Sequence, residues 1–175
     1  METITRARER GILFLRLLMG GVFLWAGTEK VLQVSGAPFD AAGFLKFGTM
    51  GTWAGAAEGA IVNPTHTFWA GLTTDPTLMT FINFIVPFGQ VAIGAALILG
   101  LFTRFASVMG TAMMLFVFVA AWDFGRGVLN SHLVYAVMTG FLGYAAAGEV
   151  RGLDGALLER MSFVKRRPAL RYVLG

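Results

Sequence analysis

The chain has no cysteine. Disulfides, thiolate nucleophiles and cysteine-ligated zinc or iron–sulfur centres are therefore excluded within it. Charge is scarce too: Asp, Glu, Lys and Arg make up 14% of the 175 residues, where an ordinary soluble domain carries roughly 25%. A fully solvated surface is not built from so few charges. The only histidines, His66 and His132, lie far apart in sequence, so the paired-imidazole spacing of a haem or metal helix is missing. Joining them to Glu58 or Asp123 gives no recognisable ligand motif, and neither haem nor metal is expected. No Ser-His-Asp order, phosphate loop or dinucleotide fingerprint occurs in the required context.

What is present is apolar: 56% of the residues are hydrophobic. Four segments approach the length of about 20 residues that a helix needs to cross a bilayer core. They run from about 11 to 34, 76 to 101, 104 to 122 and 130 to 147. The last is short unless Asn130 and His132 extend it into the interface. The expected fold is thus an all-α integral membrane four-helix bundle in one domain of residues 1–160, followed by a basic tail, 161–175. The first segment, "ILFLRLLMGGVFLWAG", has the outline of a signal peptide, but Arg16 interrupts its apolar run and an uncleaved helix is expected.

Eleven of the fourteen Lys and Arg residues fall at the N-terminus, near residue 104 or in the tail; Lys30, Lys46 and Arg126 fall on the other side. The positive-inside rule then places both termini in the cytoplasm of a multi-pass protein of the cell membrane. The tail "ERMSFVKRRPALRYVLG" suits anionic lipid headgroups. A nucleic-acid partner is not expected, because these charges occupy one short juxtamembrane segment.

The connection from 35 to 75 is long, yet rich in Phe, Trp and Leu, unlike a solvated linker. Asp40 is expected to cap a helix running to about Trp53, Asn63 and Pro64 to open a second over "PTHTFWAGL", and Asp75 and Pro76 to open the next span. The glycines between permit a re-entrant dip. Trp53 and Trp69 are placed at interfacial depth. Small residues at Ala92, Ala96 and Gly100, at Ala106 and Gly110, and at Ala136, Gly140, Gly143 and Ala147 mark the expected helix contacts. Pro87 removes a backbone donor and is expected to kink its helix.

On this topology the polar residues gather at the outer end. Glu29 and Lys30 end the first helix; Asp123, Arg126, Asn130 and His132 lie at the outer ends of the third and fourth; Asp40, Lys46, Glu58 and His66 are in the loop. Glu29 and Lys30 read either as an interface anchor, with Lys30 snorkelling outward, or as part of a site. Asp123 and Arg126 read as a loop ion pair or as site residues, and His132 as a helix cap or a base. Trp25 lies one turn before Glu29, and Gln90 lies at mid-depth, as an interhelical hydrogen-bonding group or a ligand contact.

Three segments, "RLLMGGVFLWAGTEK" with Arg16, Gly20, Gly27 and Lys30, "PFGQVAIGAALILGLFTR", and "GEVRGLD", resemble the DoxX/DoxD membrane proteins. The resemblance implies the four-helix bundle, and the long outer loop is more similar to the DoxD branch, a membrane subunit of thiosulfate:quinone oxidoreductase. That enzyme class joins two thiosulfates to tetrathionate and passes the electrons to membrane quinone. On this reading Lys30 and Arg126 hold the sulfur anion, Trp25 and Gln90 meet the quinone, and Glu29, Asp123 or His132 handle protons. Gln90 stands where many relatives carry Glu, and Glu149, Val150 and Arg151 depart from the usual closing motif. Two other classes fit the same features: a non-catalytic scaffold holding a second redox subunit, and a small-molecule transporter built from a homo-oligomer.

Overall fold

A computed structural model describes residues 2–51, 61–122, 129–160 and 173–174. Among them every regular element is helical: α1 (Glu2–Val31), a π-helical turn (Phe44–Gly48), α2 (His66–Leu72), α3 (Pro76–Leu99), α4 (Thr103–Ala120), α5 (Ser131–Tyr144) and α6 (Leu153–Arg160). Helix α1 starts well before the expected residue 11, because Glu, Arg and Ala favour helix and nothing from 2 to 10 breaks it. It stops at Val31, short of 34, where Gln33 and Gly36 turn the chain at positive φ.

Helices α1, α3 and α4 contain stretches long and apolar enough to cross a membrane, and this is a membrane protein. Helix α5 is not among them: its 14 residues rise only about 21 Å. The expected fourth segment continued to 147, but Ala146 reverses the chain at φ 48° and the Ala146 and Ala147 carbonyls accept from the Glu149 and Val150 N–H groups in tight turns rather than in α-helical register.

The helix ends follow local chemistry. The Asp75 carboxylate accepts from the Thr77 and Leu78 N–H groups at 2.8 and 3.2 Å, with Pro76 as the first helical residue. Helix α3 then runs through Pro87 to Gly100, which closes it in the left-handed region at φ 64°. Asn130 caps α5 through the Leu133 N–H.

Helices α1, α3, α4 and α5 pack in a ring, α1 on α3 and α4 on α5 most extensively. Their shared core includes Met19, Phe23, Ile93, Leu97, Ala106, Met114, Ala136 and Leu142. Glycine makes the α1–α3 contact possible. A Cβ on Gly94 would press on the Leu24 backbone nitrogen, and one on Gly27 would sit 2.6 Å from the Val91 nitrogen. Ala92, expected on this seam, is exposed instead, since the inward face of α3 runs through Gly94 and Leu97. On the other seam Ala106, Gly110 and Ala136 are buried as the small-residue pattern implied.

The residues between α1 and α3 form a cap over one end of the ring, around Ala41, Leu45 and Met79 with Trp69 packed against them. The helical turn after Asp40 ends at Gly48, where the Thr49 N–H bonds to the Phe44 carbonyl in π register; Trp53 lies outside the described residues. Asn63 makes the expected local contact, its Oδ1 accepting from the Thr65 N–H, but α2 begins only at His66, after Thr65.

Replacing Gly94 by Ala should lower stability by about 1–3 kcal/mol, the usual cost of forcing extra volume into a packed contact. Gly21, whose Cβ would meet nothing within 4 Å, should tolerate Ala and gain up to about 1 kcal/mol of helix propensity. Unfolding in mixed detergent–SDS micelles checks both signs.

Candidate functional site

Among the described residues, two almost fully buried charged side chains, Arg16 and Asp154, lie at the end of the ring opposite the cap. Arg16 is 1% exposed, although it stands inside an apolar stretch long enough to span. Its Nη1 donates to the Ala147 and Val150 carbonyls at 2.5 and 2.9 Å, and Nη2 to the Arg151 carbonyl at 3.5 Å. These are the carbonyls that a longer α5 would have turned to its own N–H groups. Arg16 thus folds the chain back after α5.

Asp154, 0% exposed, completes this clasp and attracts the Arg16 charge. Helix α4 begins after Phe102, which sits at φ 51° and offers no capping side chain. Asp154 does the capping from a distance: Oδ1 accepts from the Phe102 N–H at 2.8 Å and Oδ2 from the Thr103 N–H at 2.9 Å. Its own N–H donates to the Gly100 carbonyl. A carboxylate at a helix N-terminus is also favoured by the helix dipole. A Cβ on either Gly100 or Gly152 would lie 2.7 Å from Arg16 Nη1, so both positions require glycine. The sequence separately drew attention to Arg16, "GLFTR" and "GEVRGLD"; the structure brings all three together.

At the cap end the expected cluster is divided. Glu29 is exposed, while Lys30 is half-buried, with Nζ donating to the Ala26 carbonyl at 2.8 Å and lying 5.7 Å from the Phe39 ring centroid. These two residues border a shallow pocket of about 130 Å³ with Ser35, Ala37 and Phe39. Lys30 therefore folds back on its helix and the cap rather than reaching outward. Trp25 is 70% exposed, whereas Gln90 is buried in the ring, its Oε1 without a hydrogen-bond partner among the described residues. The structure does not bring Trp25 and Gln90 to one surface. His132 is half-buried in the first turn of α5; Asp123, Arg126 and Glu58 lie outside the described residues.

Asn63, which sequence reasoning took for a local cap, closes the other end of α4. Its Nδ2 donates to the Ala120 carbonyl at 2.8 Å, and its Oδ1 accepts from the Thr65 N–H at 2.9 Å. Nearby, buried His66 and Thr49 share a hydrogen bond of 2.8 Å between Nδ1 and Oγ1, and the Thr49 hydroxyl reaches the Leu45 carbonyl. Asp40 holds the cap to α3. Its carboxylate accepts from the Ala42 N–H and from Asn83 Nδ2, while Asn83 Oδ1 accepts from the Ala41 N–H. The Ala42 and Asn83 hydrogen bonds, helped by Lys46, hold the Asp40 carboxyl below its ordinary pKa. Among the described residues, no three His, Asp or Glu side chains gather as metal ligands.

The chain matches no protein-family model, no curated protein and no solved structure. The class that the fold defines is an all-helical membrane protein with three helices of spanning length.

Arg16→Gln should be the most damaging single change in the clasp, lowering stability by about 3–5 kcal/mol by removing the positive charge beside buried Asp154 and the donor that holds the Ala147 and Val150 carbonyls. Comparing its SDS unfolding with that of Glu9→Gln, a change at an exposed residue of the same helix, separates the clasp from a general charge effect. Asp40 gives a pH dependence of known sign. Its folded pKa is depressed, so its contribution is present above the ordinary carboxylate range and is lost as pH falls through the folded value. Thermal melts should therefore fall less on acidification in Asp40→Asn than in the parent.

Proposed function

We propose that the chain is a DoxX/DoxD-like, multi-pass protein of the cell membrane with both termini cytoplasmic, and that it anchors a redox partner there. Helix α5 is read as a fourth span, completed at its ends by interfacial residues, which keeps the termini on one side. The observation that carries the anchoring role is the outer surface of the cap. Phe44, Phe47, Ile61 and Phe68 are exposed, Phe47 by 72%, on a backbone fixed by the Asp40–Asn83, Thr49–His66 and Asn63–Ala120 hydrogen bonds. A held apolar surface of this kind suits a protein partner, because little ordering entropy is lost when it is covered.

The pocket beside Lys30 favours a second reading, a quinone-linked oxidoreductase subunit acting on thiosulfate or a related sulfur anion. Lys30 supplies positive charge and an aromatic wall through Phe39, in a space suited to a small anion. Glu29 supplies a carboxylate for protons. Joining two thiosulfates releases two electrons, which a membrane quinone accepts with two protons. Arg126, Asp123 and His132 keep their assigned roles on this reading. A quinone ring arriving from the surface would meet Trp25, which is exposed, while Gln90 is buried in the ring.

Two measurements on the purified chain decide between the readings. Thiosulfate-dependent reduction of a soluble quinone should be absent if the chain only anchors, and Phe47→Asp with Phe68→Asp should release its native membrane partner without changing the melting temperature. Turnover that falls in Lys30→Ala and Arg126→Ala, with folding intact, would establish the oxidoreductase instead.

A further inference from the structure

The α4–α5 seam is polar where it is most deeply buried. Thr103, Ser107 and Thr139 are 0%, 1% and 0% exposed, and none of their hydroxyl oxygens has a hydrogen-bond partner among the described residues. The Gln90 amide oxygen, on a side chain 8% exposed, is in the same condition. In an apolar interior each such group is costly. Thr111 shows the usual solution on the same seam, with its hydroxyl 3.4 Å from the Ala136 carbonyl.

These groups have a common register. A Cβ on Gly143 would lie 3.0 Å from Ser107 Cβ and 3.6 Å from its Oγ, and one on Gly110 would lie 3.0 Å from Thr139 Cγ2. Ser107 and Thr139 thus each face a glycine of the opposite helix. Thr103 and Ser107 are one turn apart, and Thr103 is also where Asp154 caps α4. At the other end, Gly89 faces Met113 and Ile93 faces Gly110, which places Gln90 between those levels on α4. From Thr103 to that level is about 15 Å at 1.5 Å per residue.

We propose that this seam binds a short chain of water molecules, running from the Arg16–Asp154 clasp past Thr103, Ser107 and Thr139 toward Gln90. Water is the ligand whose chemistry fits. Each hydroxyl both donates and accepts, none of them bonds directly to another protein group among the described residues, and buried water typically takes about three such bonds. A cation is disfavoured by the Arg16 guanidinium at one end, and an apolar ligand would leave the hydroxyls unpaired. The water connects the clasp end to the buried amide, so small solvent species reach the middle of the ring without opening it. This inference stands independently of either reading of function.

The absence of cysteine makes the test direct. Ser107→Cys and Thr139→Cys each place a single thiol on the seam, and Leu142→Cys places one in the apolar core, where Leu142 is 0% exposed. Infrared spectra after transfer into D2O report S–H to S–D exchange at that one thiol. Exchange at 107 and 139 should be at least about tenfold faster than at 142, which reports global or sub-global opening. Equal rates at all three would overturn the proposal. Thr139→Val gives an answer even if a cysteine variant fails to fold: losing a water-bonded hydroxyl lowers the melting temperature, whereas removing an unpaired one raises it. A rise would equally overturn the water chain.

Discussion

A guanidinium cannot be left unpaired inside a packed apolar ring, and the Arg16 clasp follows from that constraint. Its donors take the carbonyls of Ala147, Val150 and Arg151, which ends α5 and turns the chain toward α6. The turn delivers Asp154 to the start of α4, where the carboxylate satisfies two N–H groups that Phe102 leaves without a local cap. Gly100 and Gly152 are needed because the guanidinium occupies the space of their Cβ atoms. One charge thus fixes the length of one helix, the start of another and the composition of two turns. Removing a buried charge strands the groups built around it and costs more than the charge contributes over an apolar replacement, so the clasp specifies this arrangement.

Helix α4 shows the same requirement at both ends. Asp154 serves its first N–H groups from more than fifty residues downstream, and Asn63 serves its last carbonyls from more than fifty upstream. In a low-dielectric setting these end groups have no water to fall back on. The cap and the closing segment are therefore tied to the ring by backbone satisfaction as much as by apolar contact. Between those ends, glycine lets the helices approach within backbone contact at Gly27 and Gly94, and close van der Waals packing does what burial from water does in soluble proteins.

The sequence made visible what depends on nearby residues. Apolar runs located α3 and α4 to within two residues, and the Asp-Pro pair at 75 and 76 marked the start of α3 correctly because an N-cap acts within one turn. Asn63 followed by Pro64 has the same local form, yet its amide is drawn to α4, a partner that no window around residue 63 contains. The small-residue pattern pointed to Ala92, Ala96 and Gly100; Gly100 is buried and Ala96 packs against the core, while Ala92 is exposed and Gly94 makes the close approach to α1. The candidate site was legible in the same partial way. Adjacent Glu29 and Lys30 share a pocket, whereas of Trp25 and Gln90 the first is exposed and the second buried in the ring.

The three segments on which the proposed DoxX/DoxD likeness rests meet in the structure, and what they build bears on how far that proposal reaches. Arg16, Gly100, Thr103, Gly152 and Asp154 form the clasp, while Gly20 and Gly27 form the α1–α3 contact. These residues hold helices in place, and of the residues that carry the resemblance only Lys30 borders the pocket beside Phe39. A motif made of such residues speaks for a shared way of folding before it speaks for a shared reaction. The chemistry of this chain is therefore to be sought at the opposite end, where the cap presents Phe47 and Phe68 and where Lys30 rests against Phe39.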